Sequence, residues 1–354
     1  MNATVQRKWR VARFDIHIDP AFDQRLRSEP GIELAVSPIP RSDDDVARAL
    51  VGADIYHISS ARNEMAKYSF VTAGLLERNP HLLAVSTYGA GYDSVDVEAC
   101  TKAGVIVMNQ AGANRDSVAE HTIALILGVV HRLVESDRAL RTRRGFTRED
   151  LMGHEVKGMT LGLVGIGHVG TTVARLAAAF GMDVIATDPF IEPAEIERRG
   201  ARPVSFEDLI GTADIVSLHC PRDATTVRMM GAQQFARMKQ GSYFITTARG
   251  GIHDERALAD AVASGHLAGA GLDVWDPEPP PLDHPLLQLP NVFATYHTAG
   301  VTHEARRNIA ILGSDQIVRL VRGERPRRLV NPQAWEAFGK RAFEAAAYTN
   351  SGKR

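Results

Sequence analysis

Cysteine is scarce in this chain: Cys100 and Cys220 are the only two among 354 residues, and neither belongs to a C-x-x-C pattern. The scarcity argues against a structural zinc site, so no metal is expected, and it is typical of the reduced cytoplasm. An excess of charge of one sign is also lacking, since 41 basic residues stand against 42 acidic ones. Balanced charge provides no electrostatic footprint for nucleic acid or an anionic membrane, and neither partner is expected.

Long apolar runs are missing as well. The longest, residues 122–130, is far too short to span a bilayer. The polar first ten residues lack the apolar core of a signal peptide. We therefore expect a cytoplasmic protein. A chain of 354 residues is long for one hydrophobic core, which favours two domains.

Short apolar runs alternate with helical patterns along most of the chain. The predicted strands are 11–18, 32–39, 54–59, 82–86, 105–108, 159–164, 183–187, 215–219, 243–247, 269–274 and 292–296. The predicted helices between the early strands are 44–51, 70–77 and 95–103. This alternation predicts an α/β fold with parallel sheets that helices cover on both faces. One later helix is well marked, with Asp254 as N-cap, Leu258 and Val262 facing inward and Gly265 after its end.

Two longer helical patterns, 117–143 and 303–322, lie where the chain is expected to pass between domains. They predict a first domain of residues 1–118 and 301–354, with a second domain of residues 119–300 inserted into it. The tail after Pro332 is polar with a helical patch, which is either a packing arm or loosely ordered.

A glycine-rich turn is the most informative motif. Gly165, Gly167 and Gly170 have G-x-G-x-x-G spacing between the strand-like run 159–164 and the predicted helix 171–180. The first glycine allows a tight turn, the second lets the backbone approach a pyrophosphate, and the third lets the helix pack close to the strand. The sequence therefore predicts a dinucleotide site, to which the whole turn is assigned: Gly165, Ile166, Gly167, His168, Val169 and Gly170.

The residue that ends the next strand indicates which dinucleotide binds. Asp188 follows the predicted strand 183–187, and no arginine directly follows it. A carboxylate at this position can accept hydrogen bonds from the ribose hydroxyls and repels a 2′-phosphate. NAD is therefore the predicted cofactor, rather than NADP.

Three further residues each follow a predicted strand: Arg249, Glu278 and His297. Ligands of open α/β sheets bind outside the carboxyl ends of the strands, so the three side chains are expected to converge. His297 can exchange a proton near neutral pH, and Glu278 can orient its ring. Arg249 can grip a carboxylate or carbonyl oxygen with its planar guanidinium. Each residue taken alone is more often structural or solvated.

Seven segments in a fixed order resemble the D-isomer-specific 2-hydroxyacid dehydrogenase family between about residues 85 and 300. They are Thr-Tyr-Gly-Ala-Gly-Tyr-Asp-Ser-Val-Asp at 87–96, Ser-Val-Ala-Glu-His-Thr at 117–122, the glycine turn, Leu-His-Cys-Pro at 218–221, Thr-Ala-Arg-Gly at 247–250, Leu-Asp-Val-Trp at 272–275 with Glu278, and Tyr-His-Thr-Ala-Gly at 296–300. The resemblance implies two Rossmann-like or flavodoxin-like domains and NAD-dependent interconversion of a 2-keto acid and a D-2-hydroxy acid.

The resemblance also implies roles for individual residues. Arg249 binds substrate, and His297 is the acid/base with Glu278 as its partner. The substrate set is Tyr88, Gly89, Ala90, Gly91, Arg249 and His297, in which the backbone amides of the glycine turn hold the carboxylate. Besides the fingerprint and Asp188, the cofactor set is Val118, His219, Cys220, Pro221, Thr247, Ala248, Arg249, Asp273, His297 and Gly300. Asp273 is expected near the nicotinamide amide, and Cys220 either borders the nucleotide or simply packs.

Several alternatives stay open. A formate or phosphite dehydrogenase shares this scaffold, although formate enzymes of this fold carry Gln where Glu278 stands. An NAD(H)-sensing protein like the corepressors on this scaffold keeps the Arg/Glu/His set and would bind without turnover. Arg62 either contacts an extra anionic group of the substrate or lies on the surface. A homodimer is expected, with residues 122–130 either at its interface or buried within one subunit.

Overall fold

The computed structural model describes residues 8–60 and 64–350 of the chain. Contacts divide it into two compact units: the first comprises Met1–Asn114 and His303–Arg354, and the second Arg115–Thr302. The chain passes between them after Asn114 and after Thr302, where the sequence prediction placed positions 118 and 300. The predicted role of Arg62 falls outside the described residues.

Five parallel strands form the sheet of the first unit: β1 (Trp9–Phe14), β2 (Ile32–Ser37), β3 (Ile55–Ser59), β4 (Ala84–Tyr88) and β5 (Ile106–Met108). They pair in the order β2-β1-β3-β4-β5, which is the flavodoxin-like order. The helices between them are α1 (Pro20–Arg27), α2 (Asp43–Leu50), α3 (Ala73–Arg78) and α4 (Val97–Lys102). Side chains of Ser42, Thr72 and Asp96 cap α2, α3 and α4, and such caps contribute about 1 kcal/mol each.

The second unit opens with two helices, α5 (Arg115–Val130) and α6 (Leu133–Thr142). Its seven strands are β6 (Thr160–Val164), β7 (Asp183–Thr187), β8 (Arg202–Pro203), β9 (Ile215–Leu218), β10 (Ser242–Thr246), β11 (Leu267–Leu272) and β12 (Val292–Ala294). The helices between them are α7 (His168–Ala179), α8 (Pro193–Arg198), α9 (Phe206–Thr212), α10 (Ala232–Arg237), α11 (Glu255–Ala263) and α12 (Pro285–Gln288).

The strands of the second unit pair in the order β12-β11-β10-β9-β6-β7-β8, and every pairing is parallel. The strand order reverses between β6 and β9, because β7 and β8 follow on one side of β6 and β9 to β12 on the other. Sheets of this kind bind ligands at that reversal, outside the carboxyl ends of the strands. The two sheets confirm the predicted α/β fold.

The chain ends in the first unit with α13 (His303–Val321) and α14 (Trp335–Asn350). Arg341 of α14 donates hydrogen bonds to four backbone oxygens of that unit: Pro80 and Leu82 before β4, and Ala103 and Gly104 after α4. Of the two possibilities left open for the tail, the described part of α14 is therefore the packing arm.

The residues at the two ends of α11 confirm its prediction in detail. The Asp254 side chain accepts the N–H of Ala257 at 3.0 Å, and Leu258 and Val262 are buried. Gly265 follows the helix with φ +73°, a left-handed conformation that favours glycine.

The single helix predicted over 117–143 is wrong. Arg132 has φ +55° and divides it into α5 and α6. Its guanidinium is held by the Glu135 carboxylate at 2.6 Å and by the Asp150 carbonyl oxygen at 2.9 Å. These contacts stabilise the left-handed conformation of Arg132. The sequence has no glycine or proline at this position that would predict the break.

Residues 122–130 contribute to the core of the second unit, in agreement with the second of the two alternatives, burial within one subunit. Leu125 and Ile126 are buried. A Cβ added to Gly128 would meet the Phe293 ring at 2.4 Å, so α5 packs tightly against β12. Within the described residues no single helix is long and apolar enough to cross a membrane; α5 and α6 reach that length and composition only together, across a 60° bend.

Candidate functional site

The glycine turn of the second unit has the geometry that its spacing predicts. Gly165 has φ +95°, and a Cβ there would lie 2.9 Å from the Cys220 nitrogen. A Cβ added to Gly167 would meet nothing within 4 Å, so this backbone is open to a ligand. A Cβ on Gly170 would lie 2.3 Å from the Gly165 oxygen, so only glycine lets α7 approach the turn this closely.

Helix α7 begins at His168, three residues before the predicted start, directly after Gly167. Gly167 is the N-cap and has no side chain to bond the first-turn N–H groups. The N-terminus of a twelve-residue helix carries partial positive charge and outward N–H donors, which suit the pyrophosphate of a dinucleotide.

Asp188 follows β7 and lies beside the glycine turn. Its two carboxylate oxygens accept the N–H groups of Ile166 at 3.1 Å and Phe190 at 3.0 Å. A carboxylate has about four acceptor positions, so two remain for ribose hydroxyls.

Ile166 differs from the other residues assigned to the cofactor. Its side chain is fully buried in the core. Its N–H is bonded to Asp188, and its oxygen accepts from Thr171 at 3.1 Å and from Arg199 at 2.8 Å. Ile166 therefore holds the turn in place with atoms that are already engaged. The sequence did not point to Arg199, because it lies 33 residues from its acceptor.

The segment after β9 contributes His219, Cys220 and the exposed Pro221. Burial lowers the pKa of His219 to about 4, so its ring is neutral at pH 7, and Nε2 lies 3.0 Å from the Ser217 hydroxyl. Burial raises the pKa of Cys220 to about 11. Since the thiolate is the reactive form, Cys220 is unsuited to act as a nucleophile here.

His297 and Glu278 meet beyond the carboxyl ends of β12 and β11. His297 Nδ1 lies 2.9 Å from Glu278 Oε2, and Glu278 Oε1 accepts the backbone N–H of Trp275 at 3.0 Å. Both side chains are partly buried, with 29% of His297 and 14% of Glu278 exposed. The ring is therefore oriented by a carboxylate that is itself held by the backbone.

The charge of Glu278 follows from its surroundings. Burial favours the neutral acid, but the hydrogen bond and charge of His297, the Trp275 N–H and the charge of Arg249 together lower the pKa of Glu278 below its ordinary value. An ionised Glu278 accepts a hydrogen bond from Nδ1 of His297. Nε2 is then the ring atom available to exchange a proton with a ligand.

The backbone of His297 has φ +48°, a conformation uncommon for a residue with a side chain. Its N–H donates to the Asp273 oxygen at 2.6 Å. The fully buried Asp273 carboxylate accepts from Thr298 N–H at 2.8 Å, Ala299 N–H at 2.9 Å and the Thr295 hydroxyl at 2.6 Å. Asp273 thus fixes the loop on both sides of His297, a task for which the sequence carried no signal.

Arg249 follows β10 and is partly buried, with Nη1 donating to the Ala248 oxygen at 2.7 Å. Its charge contributes to lowering the pKa of Glu278, whose carboxylate lies 2.9 Å from His297 Nδ1. Behind it, the Thr247 and Thr122 hydroxyls lie 3.1 Å apart, which joins β10 to α5.

Three other residues assigned to the cofactor are buried or partly buried. Val118 and Ala248 are buried, and Gly300 is partly buried. His121 of α5 was not assigned to the site from the sequence. Its Nε2 lies 2.9 Å from the Thr295 hydroxyl, in the loop that leads to His297.

The predicted carboxylate-binding turn lies in the first unit, at the carboxyl end of β4. Gly89 has φ +149°, and its oxygen accepts Gln110 N–H at 2.7 Å. The Ala90 oxygen accepts the Asn109 side chain at 2.8 Å. Since these carbonyls are engaged, the turn has a defined orientation. Buried Tyr88 packs under the Arg306 guanidinium, 5.3 Å from the ring centre, a neighbour that the sequence reading missed.

Comparison with known proteins agrees with this geometry. A family model described as D-isomer specific 2-hydroxyacid dehydrogenase, NAD binding domain, matches residues 123–299. The chain belongs to this family. NAD is the cofactor, and the second unit, with its glycine turn, open helix N-terminus and Asp188, fits it. No group of three or more His, Cys, Asp or Glu residues in the described ranges is arranged to hold a metal ion.

Relatives of the chain carry several names. A D-3-phosphoglycerate dehydrogenase of Archaeoglobus fulgidus is 38% identical over 74% of this chain and 49% of its own length. A glyoxylate reductase of Korarchaeum cryptofilum is 37% identical over 74% of this chain and 80% of its own. The crystal structure of a glyoxylate reductase from Paecilomyes thermophila has a TM-score of 0.81 at 27% identity, covering 92% of this chain and 99% of that one. The chain spans about half the length of the phosphoglycerate dehydrogenases it matches.

Proposed function

We propose that this protein is an NAD-dependent oxidoreductase that interconverts a 2-keto acid and a D-2-hydroxy acid. The observation that carries the proposal is the His297–Glu278 pair, 2.9 Å apart in the NAD-binding unit, with the charge of Arg249 acting on Glu278. The names of the relatives, which include D-3-phosphoglycerate dehydrogenase and glyoxylate reductase, support it.

Each residue has a defined task. NAD, when bound, accepts or supplies the hydride. In the reducing direction His297 delivers a proton from Nε2 to the carbonyl oxygen of the keto acid, and in the oxidising direction it removes the hydroxyl proton. Glu278 stabilises the imidazolium through Nδ1. Arg249 polarises the carbonyl and helps to anchor the carboxylate.

The substrate-binding role of Tyr88 and the Gly89–Ala90–Gly91 turn remains a prediction, as do the homodimer and the cytoplasmic location. The turn contributes backbone N–H groups, which suit a carboxylate. Any 2-keto acid carries the same carboxylate and carbonyl, so glyoxylate, pyruvate, hydroxypyruvate, phosphohydroxypyruvate and bulkier acids are all candidates.

A substrate screen tests the proposal. The protein is assayed with each of these keto acids and with formate and phosphite, following NADH oxidation or NAD reduction at saturating cofactor. Turnover with at least one keto acid is the expected result. If no keto acid reacts while NADH binds tightly, the chain is an NAD(H)-sensing protein instead. Activity confined to formate or phosphite would also reject the 2-keto acid assignment.

A further inference from the structure

A second carboxylate–imidazole pair lies in the NAD-binding unit, apart from the one used in the proposed reaction. Glu255 Oε2 and His284 Nε2 are 2.9 Å apart, and only 11% and 12% of the two side chains are exposed. Glu255 is the first residue of α11, and His284 is the N-cap of α12. Two helix starts therefore hold the pair in place.

The pair is connected to the segment that carries Glu278. Glu255 Oε1 accepts the backbone N–H of Asp276 at 2.8 Å. The His284 ring meets the Trp275 ring edge-on, with ring centres 5.6 Å apart and an angle of 79° between the planes. One oxygen of Glu255 thus bonds the His284 ring and the other bonds the backbone of residues 275–276.

Trp275 in turn joins both halves of the proposed catalytic pair. Its backbone N–H donates to Glu278 Oε1 at 3.0 Å. Its indole N–H donates to the Thr295 oxygen at 2.9 Å, in the loop that leads to His297. A shift of Trp275 would therefore move Glu278 and the loop of His297 together.

The buried Glu255 carboxyl would be destabilised if it lost its hydrogen bonds. Burial raises the pKa of the Glu255 carboxyl, and the hydrogen bonds from Asp276 N–H and His284 oppose that effect. A buried carboxyl group that lost these partners would be left unsatisfied. The contacts therefore tie Glu255 to one position, and the segment 275–276 with it.

We propose that Glu255 and His284 are positioning residues for the reaction, which hold Glu278 in place through the Trp275–Asp276 segment. The inference rests on the proposed function, because Glu278 must act there as the partner of His297. Neither residue needs to touch substrate or cofactor. Proton transfer depends steeply on geometry, and a displacement of about 1 Å can cost up to about a hundredfold in rate.

The test combines two substitutions of Glu255 with a control on the same helix. Glu255→Ala removes both contacts, whereas Glu255→Gln keeps an oxygen for Asp276 N–H and an amide for His284. Asp260→Asn removes an exposed carboxylate of α11 whose partner is Arg256 at the surface. Each variant is made alone and with Glu278→Gln, and kcat, KM, the Kd for NADH and the unfolding midpoint are measured.

Glu255→Ala is expected to lower kcat about tenfold with the Kd for NADH unchanged, since it displaces Glu278 without touching the glycine turn. Glu255→Gln is expected to retain most of the kcat, and Asp260→Asn all of it. In the Glu278→Gln background, Glu255→Ala should have a clearly smaller effect on kcat, because one of the two groups that Trp275 positions is already altered.

Wild-type kcat in Glu255→Ala would overturn the positioning role, as would an equal loss with and without Glu278→Gln. Wild-type kcat in Glu278→Gln alone would overturn both the proposed His297–Glu278 pairing and the positioning role that rests on it. The Glu278→Gln variant therefore distinguishes a failure of the proposed function from a failure of the positioning role alone. Should Glu255→Ala not fold, His284→Phe replaces it: phenylalanine keeps a ring against Trp275 and loses the bond to Glu255. His284→Phe must then slow kcat for the inference to stand.

Discussion

At the scale of single residues, the proposed chemistry depends on the ring orientation of His297. The bond between Nδ1 and Glu278 leaves Nε2 as the atom that exchanges a proton. The ring itself stands on a residue with φ +48° whose N–H is bonded to the Asp273 oxygen. The imidazole is thus oriented both through its side chain and through its backbone.

Replacing His297 by Asn tests the proton-transfer role. Asparagine tolerates positive φ but cannot exchange a proton near neutral pH, so kcat should fall by about 10² to 10⁴. NADH should still bind, as measured by fluorescence titration, because the glycine turn is intact. Near-normal turnover would remove His297 from this role.

Glu278→Gln is expected to move the pH optimum of reduction to lower pH. The pKa of Glu278 lies below its ordinary value in the folded protein, so the group is ionised around neutral pH and favours the charged form of His297. A neutral amide gives the imidazolium less support, and the proton needed for reduction is lost at lower pH. An unchanged pH profile of kcat would contradict the pairing.

Asp188→Ala is expected to weaken NAD binding and to relax discrimination against NADP. The substitution removes an acceptor for ribose hydroxyls, a negative charge that repels a 2′-phosphate, and the acceptor of the Ile166 N–H. Asp183→Asn, at the exposed start of the same strand, is the matched control. If the ratio of kcat/KM for NADH and NADPH stays constant, Asp188 does not select the cofactor.

At the scale of elements, short contacts between neighbouring segments build the site. The turn after β6, the N-terminus of α7 and the end of β7 meet around Ile166, whose N–H and oxygen are bonded from both sides. The loops after β11 and β12 are joined by Asp273 and Trp275. Each element therefore depends on its neighbour for its exact position at the strand ends.

Gly170→Ala tests the close approach of α7 to the turn. The new Cβ would lie 2.3 Å from a backbone oxygen, so helix and turn must separate. We expect weaker NADH binding and a lower free energy of unfolding, read by fluorescence titration and urea denaturation. Gly211→Ala in α9 is the control: nothing lies within 4 Å, and alanine favours the helix by up to about 1 kcal/mol. Equal behaviour of the two variants would refute the packing argument.

At the scale of the whole molecule, two separate sheets are built from one chain that passes between units twice. The first unit needs both ends of the chain, because α13 and α14 return to a sheet formed by residues 9–108. Arg341 of the last helix donates hydrogen bonds to four backbone oxygens in the segments before β4 and after α4. The integrity of the first unit thus depends on a residue near the end of the chain.

Arg341→Ala is expected to lower the free energy of unfolding of the first unit by about 1–3 kcal/mol, because four backbone carbonyls, two of them in part-buried hydrogen bonds, lose a charged donor. NADH affinity should not change, since the nucleotide residues belong to the other unit. Lys340→Ala, at the exposed neighbouring position, is the control. Urea denaturation with no difference between the variants would show that the arm contributes nothing to stability.

Features set by near neighbours in the chain were predictable from the sequence. Asp188 was predictable from its place at the end of a strand. The alternation of strands and helices, the Asp254 cap and the glycine turn depend on residues within one or two turns of each other. Their φ values and first hydrogen bonds follow from local chemistry alone. The three strand-end residues were predictable as well, because parallel strands present their carboxyl ends at one edge.

Tertiary structure alone decided the contacts between residues distant in sequence. The break at Arg132, the burial of residues 122–130 under Phe293 and the backbone of His297 depend on which segments the sheet order brings together. Asp273, Trp275 and the Glu255–His284 pair act across 20 to 29 residues of chain, a separation at which no local pattern specifies a partner. A hydrogen bond of this kind exists only after the loops have been placed. The sequence therefore indicated the groups proposed to react, and the packed sheet determined what holds them.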